Sequence, residues 1–447
     1  MLEKTLDLPV VSTVSAIEQE FYNLFNNNEK DSFNEIFINF KDVRYIEPST
    51  STSYLIAMLY TCQSIGYKFK IIPPNDNGIK IILYTWRFFE VLEEITSIPI
   101  SEFAPQLEGD FTQSINVRLG TTIKKTLKYY KNIDSSDIKN FFKKKYFGQD
   151  SIFFLTTYEN FFPLLTLNFS TIELKQQEFI SEKTRWEKAV LINRILNNNL
   201  NNIEIKDEIS NDVISETISN AILHSNASKF FTGSFFHFSD KQPEDDEIFY
   251  FTINFWDNGS SIIDTLKSPL INGKKIKSIA SEKYFQSVTK NNNQIEFLIK
   301  MKDNYIEKLF TTASELHANL DEEYILLAAF FPGVSREPDR QPDLFNPYHA
   351  GIGLSYLSNT VMNKLNGEIS IRTKKYFLNI KCLSNYEKDR YIRNFKTSNE
   401  NKAKRKDIFN DSSSYYKAKY IEYEGNMPLF SGNMITIRIP LKYKLHK

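Results

Sequence analysis

Cysteine is nearly absent from the chain, with only Cys62 and Cys382 among 447 residues. The two lie far apart and match neither metal-ligand nor redox spacing, which excludes a disulfide framework and fits buried structural thiols in a reducing compartment. Histidine is also scarce, at five residues, and none precedes His224. A sensor kinase that phosphorylates itself needs an acceptor imidazole on an upstream helix, so autophosphorylation of that kind in cis is excluded. No charge of one sign dominates: 55 Lys and Arg balance 55 Asp and Glu. That removes any global field toward nucleic acid or an anionic membrane, and such a partner would have to use a local patch. Long apolar runs are missing as well. "YILLAAFF" at 324–331 is far short of the roughly 20 residues a membrane span needs, and "MLEKTLDLPVV" carries acids where a signal peptide has its apolar core. The expectation is a cytoplasmic protein with no membrane partner.

At this length two to four domains are expected, with ample apolar surface to bury. The first orderly unit begins near residue 34, where "EIFINF" alternates as a strand does. Hydroxyls from Ser49 to Ser53 can cap a helix whose apolar stripe runs from Tyr54 to Ile65, Gly66 suits its C-terminal cap, and "KFKIIPP" returns as a strand. A second helix is expected over Ile79–Glu94. Strand, helix and strand in this order point to a parallel sheet with helical crossovers. The stretch from about 34 to 100 resembles STAS domains, small α/β modules of anti-sigma-factor antagonists. In "YIEPSTS" the likeness puts Glu47 at the family's acid and Pro48 where the family has its phosphorylatable serine, so a phospho-switch would need Ser49 or Thr50.

Residues 101–205 read as a connector or middle subdomain, partly helical. Its basic-aromatic runs "TTIKKTLKYYKN" and "IKNFFKKKYF" are the pattern of solvated helix faces more often than of a nucleic-acid grip. "FISEKTRWEKAVLINRIL" reads as an amphipathic helix, and the asparagine patches at 26–28 and 197–202 as loops.

The chemistry concentrates after residue 206. In "ISETISNAILHSNA" the apolar positions Val213, Ile214, Thr217, Ile218, Ala221 and Ile222 recur at helical spacing, which stacks Glu216 and Asn220 one turn apart on a neighbouring face, with His224 a further turn on. An amide oxygen is a hard ligand for a Mg2+ ion that bridges phosphates, and a carboxylate beside it can orient or deprotonate a nucleophile. Next, in "EIFYFTINFWDNGSSI", Phe249, Phe251, Ile253 and Phe255 alternate with Tyr250, Thr252, Asn254 and Trp256, so a strand delivers Asp257 at its end and Gly259 in the turn. Asp257 can accept a hydrogen bond from an exocyclic amine, and Gly259 leaves room for a base. In "HAGIGLSYLSNTVMNKLNGEISIRT", Gly351 and Gly353 permit a tight turn before a helix whose stripe is Ile352, Leu354, Leu357, Val361 and Leu365, so N–H groups at that helix start can meet phosphate. "GNMITIRIP" at 432–440 reads as a closing strand.

In this order the four blocks resemble the N, G1, G2 and G3 boxes of the GHKL ATPase superfamily, and "ISETISNAILHSNA" is especially similar to the N box of anti-sigma-factor serine kinases. The likeness spans about 206–445. It implies a C-terminal Bergerat-fold α/β sandwich, and with the STAS-like module an α/β and α+β multidomain chain divided at 1–100, 101–205 and 206–447. It further implies ATP and Mg2+ as cofactors, Glu216 as general base, Asn220 as Mg2+ ligand, Asp257 as acceptor of the adenine amine with Gly259 beside it, and Gly351, Gly353 and Leu354 around the phosphates, with His224 nearby. Two positions depart from the family. Ser261 stands at the second glycine of the G1 box, which stiffens a lid hinge, and Asn433 replaces the threonine of the last block, leaving Thr436 to offer a hydroxyl. Between Asp257 and Gly351 a charged helical stretch is expected near 281–319, then a lid loop from Pro332 to Pro347 in which Arg336 and Arg340 are candidates to meet a γ-phosphate. The expected activity is that of a Mg-ATP-dependent signalling switch with slow hydrolysis. A serine/threonine kinase of the anti-sigma type, or a scaffold that keeps only the shape, are the alternatives. Partners would be an adenine nucleotide and a protein, either another chain or a second copy.

Overall fold

The computed structural model describes residues 2–26, 33–47, 50–76, 79, 83, 88–105, 165–168, 213, 217, 227–238, 248–271, 276–278, 285–291, 294–301, 314–316, 322, 326, 329–330, 354, 357–358, 360–382, 414–423 and 425–442. They form mixed α and β structure containing both parallel and antiparallel sheets.

At the N-terminus, strands β1 (Leu2–Asp7), β3 (Phe33–Asn39) and β5 (Lys68–Ile72) make a parallel sheet in the order β1-β3-β5, with a short parallel pair of β2 (Val11–Ser12) and β4 (Tyr45–Ile46) beside it. Helix α1 (Val14–Asn26) joins β1 to this sheet, and α2 (Thr50–Ser64) is the crossover between β3 and β5. Helix α3 (Phe88–Thr96) and the short α4 (Ile100–Phe103) follow. The expected strand, helix and strand are present, and Gly66 takes a φ of +99° just past α2, as a glycine at a helix end can. The ordered unit starts earlier than periodicity from residue 34 indicates, because β1 and α1 precede it. Of the residues expected in the second helix, α3 holds Phe88 to Glu94. Pro48 and Ser49 lie outside the described residues, as do the basic-aromatic runs.

The second sheet has nine strands in the order β10-β11-β15-β14-β13-β16-β8-β7-β6. These are β6 (Leu165–Asn168), β7 (Lys229–Phe238), β8 (Ile248–Asp257), β10 (Phe285–Asn291), β11 (Gln294–Met301), β13 (Glu368–Lys374), β14 (Tyr376–Cys382), β15 (Ser414–Glu422) and β16 (Phe430–Lys442). Each neighbouring pair is antiparallel. A separate two-stranded pair joins β9 (Ile276–Ser278) to β12 (Ser314–Leu316). The stretch expected to be a charged helix near 281–319 therefore carries strands, a correction with a local reason. Ile295, Phe297 and Ile299 alternate along β11, and this period of two outweighs the helix-friendly charges around it.

The two sheets sandwich α2. Residues Ser51 to Leu59, with Thr61 and Cys62, are all buried, so this helix has no solvated face and no single apolar stripe. One side meets β5, and the other meets β16, β8 and β7. The core is continuous across the contact: Phe231, Trp256, Phe430 and Met434 of the large sheet belong to the same buried cluster as the N-terminal residues. Trp256 stacks on Phe231 at 5.2 Å and meets Tyr60 edge-on at 5.1 Å, while Tyr54 stacks on Phe430 at 6.1 Å. An aromatic ring hides roughly 150–250 Å2, so at about 25 cal/mol per Å2 each contributes on the order of 4–6 kcal/mol before ordering costs. A polar interlock sits beside them. Arg372 on β13 pairs with Glu18 of α1 and lies over the Phe377 and Tyr54 rings, while the Tyr423 hydroxyl donates to Glu18 at 2.8 Å. Because a buried ion pair returns little net stability, the rings hold the contact and the interlock fixes its alignment.

Among the described residues no helix is long and apolar enough to cross a membrane.

Candidate functional site

The end of β8 carries the clearest constellation. Strand alternation puts Phe251, Ile253, Phe255 and Asp257 on one face of the large sheet, and Thr252, Asn254 and Trp256 on the face that α2 covers. The register pairs Asp257 with Asn433 of β16, and Asn433 in turn with Thr373 of β13. Asp257 and Asn433 are both buried, at 6% and 3% exposure. The Asn433 amide nitrogen reaches the two Asp257 carboxylate oxygens at 3.3 and 3.4 Å and donates to the Ser260 carbonyl at 2.9 Å. Its amide oxygen accepts from the Ile262 N–H at 2.9 Å and stands 3.0 Å from the Thr373 hydroxyl.

Gly259 N–H donates to Asp257 at 2.9 Å, closing the turn. Behind it, the Asn258 side chain uses all of its bonding capacity. Its oxygen accepts from the Ser228 and Lys229 N–H groups at 2.9 and 2.7 Å, and its nitrogen donates to the Tyr60 hydroxyl at 2.9 Å and to Ser228 Oγ at 2.8 Å. Gly432 is required by close approach: it adopts φ +76°, and a Cβ there would overlap the Asp257 carbonyl.

Ser261 caps α5 (Ile262–Ile271). Its hydroxyl accepts from the Asp264 N–H at 2.9 Å, as an N-cap does, and donates to the Asp264 carboxylate at 2.8 Å. This cap is what the serine at this position does in the fold. With Ile262 and Asp264 N–H groups already engaged, α5 offers little at its N-terminus to a phosphate. Lys374, at the tight β13–β14 hairpin, pairs with Asp264, and Lys267 pairs with Glu322 at 2.6 Å. These two cations at the rim are already held by carboxylates.

Thr436 does not join this group. It lies three residues past Asn433, an odd number of steps along the strand, so it faces the opposite side, where its hydroxyl donates to Asn254 at 2.6 Å. The residue of β16 beside Asp257 is Asn433.

Of the remaining candidates, Glu216, Asn220, His224, Gly351 and Gly353 lie outside the described residues, as do Arg336 and Arg340. Their neighbours are described. Val213 and Thr217 are buried and helical, and the Thr217 hydroxyl donates to the Val213 carbonyl at 2.7 Å, one turn back. Leu354 is helical and half-buried, while Leu357, Val361 and Leu365 of the same expected stripe are buried. The π-helical turn Thr360–Lys364 packs against β13 and β14. Among the described residues no cluster of His, Cys, Asp or Glu is arranged to hold a metal ion. Chemically, the β8 end supplies a buried carboxylate with an amide partner beside a glycine turn.

No family model matches the sequence, and neither a curated protein nor a solved structure matches the chain.

Proposed function

We propose that the chain binds an adenine nucleotide with Mg2+ and acts as a conformational switch of the GHKL type, with slow ATP hydrolysis. The observation that carries this is the Asp257–Asn433 pair: a carboxylate at 6% exposure, closing strand β8 and followed by Gly259, with an amide at the matching place on β16. Burying a carboxylate is costly unless its bonds are met, and the Asn433 amide and the Gly259 N–H are among the groups that meet that cost for Asp257. In this proposal Asp257 accepts the exocyclic amine of adenine, and Asn433 fixes the carboxylate's orientation. Asn220 supplies the amide oxygen for Mg2+, Glu216 orients or deprotonates the attacking water, Gly351, Gly353 and Leu354 line the phosphates, and His224 lies near them. Mg2+ would neutralise phosphate charge when bound. Nucleotide binding then shifts the chain between states by its difference in affinity for them, and a protein partner or second copy reads the change.

Phosphorylation of a serine or threonine, on a STAS-like partner or on the chain's own N-terminal module, is the second reading, and burial removes three hydroxyls of that module from it while Thr50 stays half-buried. Ser51, Thr52 and Ser53, at the start of α2, are fully buried, and α2 lies on the sheet face opposite Asp257. Incubating the full chain with γ-labelled ATP and Mg2+ tests these proposals. Free phosphate supports the switch, label on a serine or threonine supports the kinase, and neither product leaves a scaffold. Glu216→Ala is expected to abolish phosphate release with ATP affinity kept, and persistent release would refute the assigned base.

A further inference from the structure

The turn that carries Asp257 is gripped from behind by the N-terminal module. At the C-terminal end of α2, the Tyr60 hydroxyl accepts from Asn258, the residue after Asp257, at 2.9 Å. The next residue, Thr61, accepts on its hydroxyl from the Ser431 N–H at 3.0 Å, two residues before Asn433. The Thr61 hydroxyl itself donates back to the Ala57 carbonyl at 2.8 Å, so its orientation is set by the helix. The Tyr60 ring lies edge-on to Trp256, and the Lys229 ammonium sits over that ring at 5.7 Å while bonding to Ile95 and Ser97 at the end of α3. Consecutive residues of one helix thus hold both strand ends that present the Asp257–Asn433 pair, yet neither residue is on the pair's side of the sheet.

We propose that Tyr60 and Thr61 are positioning residues for the adenine site, so that docking of the N-terminal module and nucleotide occupancy are linked. This rests on the nucleotide reading above. Asn258 has no spare bonding capacity: its oxygen is fixed by two backbone N–H groups, and Tyr60 is one of only two acceptors for its nitrogen. Removing the phenolic oxygen leaves the turn one bond short and lets the Asp257 carboxylate depart from the geometry a ligand amine needs. Linkage is reciprocal, so a nucleotide that requires the ordered turn must also tighten α2 against the sheet. The N-terminal module would then sense the nucleotide without touching it.

The test compares the full-length wild type with Tyr60→Phe by calorimetric titration with ATP and with GTP in the presence of Mg2+. Loss of one hydrogen bond in the turn is expected to weaken ATP binding by roughly three- to tenfold, and to narrow the preference for ATP over GTP, because Asp257 reads the adenine amine. Tyr54→Phe removes another α2 hydroxyl, one with no contact to the turn, and is expected to keep both values. A Tyr60→Phe chain whose melting temperature falls while its ATP affinity and base preference stay at wild-type values would overturn the proposal. Amide exchange of the wild type gives a second measurement that needs no variant. Saturating ATP should slow exchange in the last turn of α2, and an unchanged rate there, with ATP bound, also overturns the inference. If the wild type binds no ATP, the nucleotide reading itself fails first, a result distinct from either of these.

Discussion

The face of the nine-stranded sheet that carries Trp256, Phe231 and Met434 is closed by another part of the same chain, whereas the face that carries Asp257, Asn433 and Phe255 ends in a small polar cluster at one edge of the strands. The first face is held by rings and aligned by the Glu18–Arg372–Tyr423 interlock. On the second, hydrogen bonds fix a carboxylate at a strand end, in a turn that a glycine makes possible. One strand serves both. Successive residues Trp256 and Asp257 point to opposite sides, so a single β-strand anchors a module with one side chain and presents the candidate ligand group with the next. The pleat separates stability from chemistry except where Tyr60 and Thr61 grip the turn and Ser431 from behind, so mutations on the covered face away from those two should spare the ligand group.

The largest effect expected on stability alone comes from the interlock. Glu18→Ala leaves the Arg372 guanidinium buried without its carboxylate, and should cost about 3–5 kcal/mol in urea unfolding, while ATP affinity of the folded chain stays within twofold. The pair Glu18→Leu with Arg372→Met should recover most of that loss, because an apolar replacement of both partners removes the uncompensated charge. If Glu18→Ala is neutral, or if it abolishes nucleotide binding in a folded chain, the two faces are not separable in this way.

A smaller effect concerns Glu47, just before α2. Burial pushes its carboxyl above the ordinary range, while Arg438 and a hydrogen bond from Thr50 pull it partly back. With the folded value raised, the folded chain keeps a proton that the unfolded chain releases. The sign follows: this group's contribution is most favourable below the ordinary carboxylate value and declines as pH rises toward the raised one. Glu47→Gln should therefore flatten the pH dependence of the urea midpoint between pH 4 and 7, and raise the midpoint at pH 7. Identical slopes for the two chains would contradict the burial argument.

The local devices were legible in the sequence. The β-α-β order after residue 34 could be read from periodicity and Gly66, and the placement of Asp257 at a strand end from the alternation in "IFYFTINFW". Parts that depend on distant contacts were not. The burial of α2 on all sides requires a second sheet from beyond residue 230, and the Tyr60–Asn258 bond spans 198 positions. Two features were present but outweighed. Charges around β10 and β11 favour a helix, but Ile295, Phe297 and Ile299 alternate, and Thr436 carries a hydroxyl, but three steps along a strand from Asn433 reverse its face. Counting the pleat from Asp257 to its partner on β16 identifies Asn433 instead.

Titration of the purified full-length chain with ATP and Mg2+, beside Asp257→Asn, tests the nucleotide proposal most directly. The wild type should bind ATP in preference to GTP, and Asp257→Asn should lose at least tenfold in ATP affinity with its melting temperature close to wild type. A wild type that takes up no ATP at millimolar concentration, or an Asp257→Asn chain that binds it equally well, would contradict the assignment of this carboxylate to adenine.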